Sequence, residues 1–564
     1  MSGVPHPTGA SGKAAHASVV FTEPVRSLWR DGAIVLFVCV LVYWLFLGST
    51  PFAASEGHRV VPGWTMLDSG DWSRTEMFGL NYVRKPPGMP WAIAASSAIF
   101  GQNEFAARAP SALACTLMAL MALGFGRAWC GPKAGLATGL AQALLPLMWA
   151  GGGGGAGGPG RSAEIEAVNT FFTQLAVLPL IALTLPSRSR ELGSARNARR
   201  AAGLAIVAAA GILGFALTKT AASAPCVAGA VVGVCIARRS PRPLACAWMW
   251  GAILLGSIAA YFTLRHFADI NNDPDAVRET GSFLWQSPSR VFTLIPIALL
   301  AALPLSLALL IPIGKDARAE GNSNDAAWSR CVLAGRACAF AWLATCLLYA
   351  AIGIDNPRYL VPASVFLAPI VGYIIRGMAA GGTGPFARAG FMEHRRDILK
   401  RMFFRGPSAW GGALLGLALI LNTGRTIVPP ETGQAVGARL AEALPDGATV
   451  WADDLIEARP DILLYAKQAA AASGRSLTCV WAKPRMHQAE LPGPSAAGSY
   501  VLLRTDDQSG EGPRYVEAME SQRIRLVAQD KLGEYTFALF SVHDAAAAET
   551  TQADPAPGGT DQAN

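Results

Sequence analysis

Mostly apolar runs of about 17 to 24 residues recur between Ala33 and about Leu421. At about 1.5 Å per residue, a run of that length is what a helix needs to cross roughly 30 Å of hydrocarbon. About eleven such runs are readable, roughly at 33–49, 109–126, 134–150, 167–185, 201–217, 221–237, 244–264, 291–313, 331–354, 359–375 and 407–423. With 52% hydrophobic and only 15% charged residues over 564, and a mean hydropathy of +0.32, the chain is too apolar for a soluble enzyme. It is expected to be a polytopic α-helical membrane protein. The polar segment 1–30 precedes the membrane part, 31–424; residues 425–545 read as an ordinary α/β domain, and 546–564 as a low-complexity, disordered tail.

"YVRKPPGMPWAIAASSAIFG" is the segment that fixes orientation. Its apolar part, about 14 residues, is too short to span and is expected to lie in the interface or re-enter as a short helix. With the N-terminus cytoplasmic and this segment not crossing, the inner loops carry about twice the Lys and Arg of the outer loops, as the positive-inside rule requires. Residues 51–108 then form one long outer loop, and the α/β domain is extracytoplasmic. The net charge of +8 is accounted for by cytoplasmic loops, and with no recognition motif beside it no nucleic-acid partner is expected. Cysteines sit mostly in apolar runs with no CxxC spacing, which argues against a disulfide framework or a cysteine metal site.

On that orientation the charges interrupting the span ends on the outer side collect together: Glu56, Lys85, Glu164, Glu166, Lys219 and Arg358. Lys85 and Lys219 suit a phosphate as compact point charges, and Arg358 in "DNPRYLVP" adds a bidentate contact. A snorkelling lysine and acids favoured by a helix N-terminus are the plain alternatives. If the helix has begun by Glu164, residues two apart point about 200° apart, so only one of Glu164 and Glu166 faces a common site. The run "GGGGGAGGPGR" fits no phosphate-loop spacing and reads as a linker. His58 has no second histidine at metal spacing, so no metal ligands are assigned and divalent-metal dependence stays open. Only Arg336 lies plainly inside a run.

"SEGHRVVPGWTMLDSGDW", "KPPGMPW", "FGQNEFAARAPSAL", "RSAEIEAVNTFF", "GFALTKT" and "RYLVP" occur in the order and spacing of the GT-C glycosyltransferases. The chain most resembles the bacterial branch related to protein O-mannosyltransferases and to the lipid A aminoarabinose transferase, over residues 31 to about 375. This resemblance implies a GT-C fold, a polyprenyl-phosphate sugar donor and an outer-face active site. It implies donor-phosphate contacts at Lys85 and Lys219, a juxtamembrane helix after Lys85, and an acidic residue at Glu166. The family usually carries Asp-Glu after the first span, and the Asp commonly serves as the catalytic carboxylate; here the pair is Ser55-Glu56. The residue after the Thr-Lys motif, usually glycine, is Thr220.

These readings lead to inverting, single-displacement transfer of a sugar to a lipid, glycan or protein acceptor at the outer face of the bacterial cytoplasmic membrane. Glu56 or Glu166 serves the acceptor hydroxyl, Lys85, Lys219 and Arg358 hold the departing phosphate, and Ser55, His58, Arg59, Glu164 and Tyr359 support them. A lipid-sugar transporter or flippase, and a non-catalytic homologue, are the alternatives; the first predicts ionisable residues deep in helices. In the C-terminal domain "ATVWADD", "LTCVWA", "SYVLLR" and "YTFALFSV" read as strands, and "PDILLYAKQAAAAS" and "PRYVEAMESQR" as helices.

Overall fold

The structure, a computed structural model, describes residues 25–82, 85–150, 157–185, 194–271, 323–352, 357–379, 407–427, 433–452, 459–481, 499–504, 524–532 and 535–542. The described residues open with α1 (Val25–Cys39), which continues as a π-helical turn, Val40–Trp44. The loop region that follows holds α2 (Gly57–Ser69), a small hairpin of β1 (Glu76–Met77) and β2 (Leu80–Asn81), and α3 (Gly88–Phe100). α4 (Glu104–Cys130) starts where the Asn103 side chain accepts the Ala106 N–H at 2.9 Å. It ends at Gly131, whose φ of +94° lets Pro132 open α5 (Pro132–Ala143) in the reverse direction. The helices that follow are α6 (Ile165–Thr184), α7 (Ser194–Lys219), α8 (Ala224–Arg238), α9 (Ala247–Asn271), α10 (Ser323–Ala351), α11 (Leu367–Ala379) and α12 (Pro407–Ile427).

Among the described residues seven apolar helical stretches are long enough to cross a membrane, and the longest, Asn197–Arg238, is the α7–α8 pair. The chain is therefore a helical integral membrane protein. α3 has 13 residues, or about 20 Å, and is too short to span. The run at 134–150 is not one helix: α5 stops at Ala143, and Pro146 opens a separate turn because it cannot donate to the preceding ladder. The expected span at 291–313 and the expected helix "PRYVEAMESQR" lie outside the described residues. Two apolar cores fill the bundle. One surrounds Ile181, Phe215, Val234, Tyr349 and Phe366; the other surrounds Tyr43, Phe52, Met89, Met118 and Trp149, and Phe172 packs against both.

Close helix contact depends on small residues, because lipid provides no hydrophobic drive between helices. A Cβ at Gly229 would lie 2.1 Å from Thr345 Oγ1, and one at Gly233 2.5 Å from the Ala337 carbonyl, so this GxxxG face of α8 presses directly on α10. α9 faces outward, exposing Trp248, Trp250, Leu254, Leu255, Ile258, Tyr261 and Phe262, an apolar face that only lipid would cover without cost. Cys130 and Cys331 form a disulfide joining the end of α4 to the first turns of α10 across 201 residues. This corrects the expectation of no disulfide: sequence spacing carries no trace of two distant helix ends meeting.

The C-terminal part has α13 (Gly433–Ala443), β3 (Ala448–Ala452), α14 (Asp461–Ala472), β4 (Leu477–Trp481), β5 (Tyr500–Arg504), β6 (Ile524–Leu532) and β7 (Tyr535–Val542). The sheet order is β4-β3-β5-β7-β6, parallel among the first three and antiparallel thereafter, with a bulge between Leu526 and Ala528. Its core of Val450, Ile462, Leu502, Phe537 and Leu539 comes from alternate strand residues and the inner face of α14.

Candidate active site

Glu164 precedes α6 in extended conformation (φ −102°, ψ 155°), and Glu166 lies in the first helical turn. Because Glu164 is not yet helical, the 200° separation expected of the pair does not apply. Both are buried, and the Glu166 charge acts on Glu164. The Ser55 hydroxyl donates to Glu164 Oε1, so the position usually occupied by a carboxylate here presents a hydrogen-bond donor to one. Lys219, at the end of α7, donates to Glu166 Oε1 at 3.1 Å with both side chains almost wholly buried. Its Nζ also lies 4.2 Å from the centre of the Tyr359 ring.

Cations surround the two acids. Arg59, buried on α2, donates to Tyr82 Oη at 3.2 Å and acts electrostatically on Glu164, as does Arg358. Burial pushes the Glu164 carboxyl up to about 7 and the Glu166 charge pushes the same way, while Arg59, the Ser55 hydroxyl and Arg358 pull it down. The result is a carboxylate poised to exchange a proton near neutrality. His58 is buried beside Tyr82, with ring centres 5.9 Å apart. Lys85 is half-buried just ahead of α3. Gly88 brings that segment to the lysine end of α7, since a Cβ there would lie 2.6 Å from the Leu217 carbonyl and 3.3 Å from the Thr218 amide. The KPPG segment and the Thr-Lys motif thus share one end of the bundle.

Thr220, the residue after Lys219, has φ +54°, the left-handed region that glycine enters freely and a β-branched residue does not. The following turn, Thr220–Ser223, is pinned from neighbouring helices. Asn169 donates to Ser223 Oγ at 3.0 Å, and Tyr349 donates to the Ala222 carbonyl at 2.6 Å.

Glu56, expected as the base, does not face this cluster as a free acceptor. Its Oε1 receives Arg108 Nε at 2.8 Å and the Ala163 N–H at 2.9 Å; its Oε2 receives Arg108 Nη2 at 2.9 Å and the Ala53 N–H at 3.0 Å. Both side chains of the Glu56–Arg108 pair are fully buried. The carboxylate is a staple tying the 50–56 segment, α4 and the approach to α6 together, its acceptor capacity filled. Sequence patterning misses Arg108 because the apolar run starts at 109; the helix begins at Glu104 and encloses it. Arg161, also missed, donates to the Val42 and Tyr43 carbonyls at 3.0 and 3.2 Å, where the π-helical turn leaves them without helical partners. A charged residue entering an apolar helix is the available signal for Arg108. Among the described residues no group of three or more His, Cys, Asp or Glu is arranged to hold a metal ion.

The chain thus has a many-helix body with buried acids and the buried Lys219 at one end of the bundle, joined to a small α/β domain. In fold, and over part of its sequence, the chain is similar to aminoarabinose transferases. It superposes on the crystal structure of ArnT from Cupriavidus metallidurans in the apo state with a TM-score of 0.60 at 18% identity, covering 92% of this chain and 98% of that one. The same protein bound to undecaprenyl phosphate gives 0.59 at 16% identity, covering 91% and 98%. The undecaprenyl phosphate-alpha-4-amino-4-deoxy-L-arabinose arabinosyl transferase of Pseudomonas savastanoi pv. phaseolicola is 32% identical over 156 residues, 27% of this chain and 28% of that protein. A Pseudomonas fluorescens relative, transferase 2 of the same description, is 32% identical over 184 residues, 32% and 31% of the two chains. The sequence matches to these relatives thus span about 30% of their length. Residues 84–157 match the dolichyl-phosphate-mannose-protein mannosyltransferase family model.

Proposed function

We propose that the chain is an inverting glycosyltransferase of the bacterial inner membrane that moves a sugar from a polyprenyl-phosphate donor to a lipid, glycan or protein hydroxyl on the outer face. The observation that carries this reading is the buried Glu164–Glu166 pair, set among Lys219, Arg59 and Arg358 and joined to Ser55. Glu164 takes the proton of the acceptor hydroxyl as its oxygen bonds to the anomeric carbon, and the anomeric carbon–oxygen bond to phosphate breaks. The departing polyprenyl phosphate carries the growing negative charge, which Lys219, Lys85 and Arg358 stabilise. Glu166 holds Lys219 in place until the phosphate competes for it, and Tyr359 supplies a π-face against the ammonium. The relative solved with undecaprenyl phosphate, of the same fold, supports that donor class.

Binding of undecaprenyl phosphate to the purified protein in detergent tests the cation assignment. Lys85→Ala and Lys219→Met are expected to weaken it roughly tenfold or more each, whereas Arg74→Ala, at the exposed Asp71–Arg74 pair, leaves it unchanged. Equal binding by all four proteins would remove the phosphate site from this end of the bundle.

A further inference from the structure

α14 of the α/β domain does not merely lie near the membrane body; it reaches into the second apolar core. Leu464 and Tyr465 are buried there with Phe52, Val60 and Trp64. Tyr465 Oη accepts the Phe52 N–H and donates to Glu104 Oε1 at 3.0 Å. The Phe52 ring stacks on Tyr465 with centres 6.0 Å apart, and the Arg108 guanidinium lies 5.4 Å from the Phe52 ring centre. Arg108 also donates to the carbonyls of Leu47, Thr50 and Pro51, and its partner Glu56 accepts the N–H of Ala163, the residue before Glu164. At Gly57 a Cβ would fall 2.7 Å from Pro460 Cγ and 2.9 Å from the Asp461 amide, so the start of α14 sits hard against the start of α2. Asp461 is in turn fixed by Arg459 at 2.8 Å and by the Gly433 N–H at 2.8 Å.

We propose that the α/β domain is a working part of the active site, with Tyr465 as a positioning residue that sets the Ser55–Glu164 pair through Phe52, Arg108 and Glu56. The proposal rests on the glycosyltransferase reading above. Ser55 and Glu164 are held by the two arms of one staple, the 50–56 segment and residue 163. Neither arm is fixed by helix hydrogen bonds alone, and Tyr465 anchors the first from outside the membrane body. Loosening that anchor lets Ser55 withdraw from Glu164, which removes a donor that favours the ionised carboxylate.

The test compares full-length wild type, Tyr465→Phe and Gln468→Ala, an exposed residue on the same helix, in sugar transfer against pH. Tyr465→Phe is expected to lower kcat roughly 10- to 100-fold while leaving the donor KM within about twofold. The acid-side midpoint of its pH–rate profile should move upward, and the 50–56 amides should exchange hydrogen faster; Gln468→Ala should match wild type. Glu104→Gln, which weakens the same anchor without touching the domain's core, is expected to act in the same direction. Unchanged kcat, pH midpoint and amide exchange in both Tyr465→Phe and Glu104→Gln would overturn the proposal, even if Lys219→Met abolishes transfer. If wild type transfers no sugar, the function reading fails, and amide exchange alone still decides whether Tyr465 holds the 50–56 segment.

Discussion

At the scale of single residues, the proposed transfer turns on one carboxylate kept protonated longer than its ordinary chemistry would allow. With the Glu164 carboxyl raised from 4.5 to about 7, the base form appears only as pH rises through neutrality. Transfer should therefore fall as pH drops through about 7, and Glu164→Gln should lose roughly 10²- to 10⁴-fold in kcat across the whole range. The same shift has a stability sign. Between 4.5 and about 7 the folded protein holds a proton that the unfolded chain has released, so this contribution is complete below 4.5 and is lost as pH rises through about 7. Thermal melting across that window checks it. Ser55→Asp, which installs the residue usual at this position in the glycosyltransferases the sequence resembles, places a further negative charge against Glu164. It should move the acid-side midpoint of the pH–rate profile upward, and a downward movement would contradict the assigned contact.

At the scale of elements, the site depends on where helices begin and how closely they meet. Arg108 falls outside the apolar run by one residue, yet it is the centre of the staple, because α4 starts at its Asn103 cap rather than at the first apolar residue. Arg108→Met leaves Glu56 buried without its partner and should cost about 3–5 kcal/mol of stability. Adding Glu56→Leu should recover much of that loss, as denaturant titration of both proteins in detergent would show. Gly88→Val pushes the KPPG segment off Leu217 and Thr218, so it should raise the donor KM with little change in kcat. The lysines, the acids opening α6 and the short helix after Lys85 are all legible in the sequence, since charges at the ends of apolar runs stand out. Partnership is not. Whether Glu56 or Glu164 has acceptor capacity left depends on backbone N–H groups of residues 53 and 163, which no side-chain pattern encodes.

At the scale of the whole molecule, the sequence shows a membrane body and an α/β domain, while their mutual contact appears only in three dimensions. Composition and the short α3 argue for one orientation, and cysteine labelling reads it directly. With the α/β domain on the outer side, Gln468→Cys on α14 should react with an impermeant maleimide in intact spheroplasts. Arg239→Cys, at the turn after α8, should react only after the membrane is opened. The most direct test of the central claim is transfer of labelled sugar from undecaprenyl-phosphate-linked donors to membrane acceptors by purified protein, with wild type, Glu164→Gln and Lys219→Met side by side. Labelled product from wild type, lost in both variants, is the predicted result. Product that persists undiminished in Glu164→Gln, or none from wild type with any donor in the panel, would contradict it.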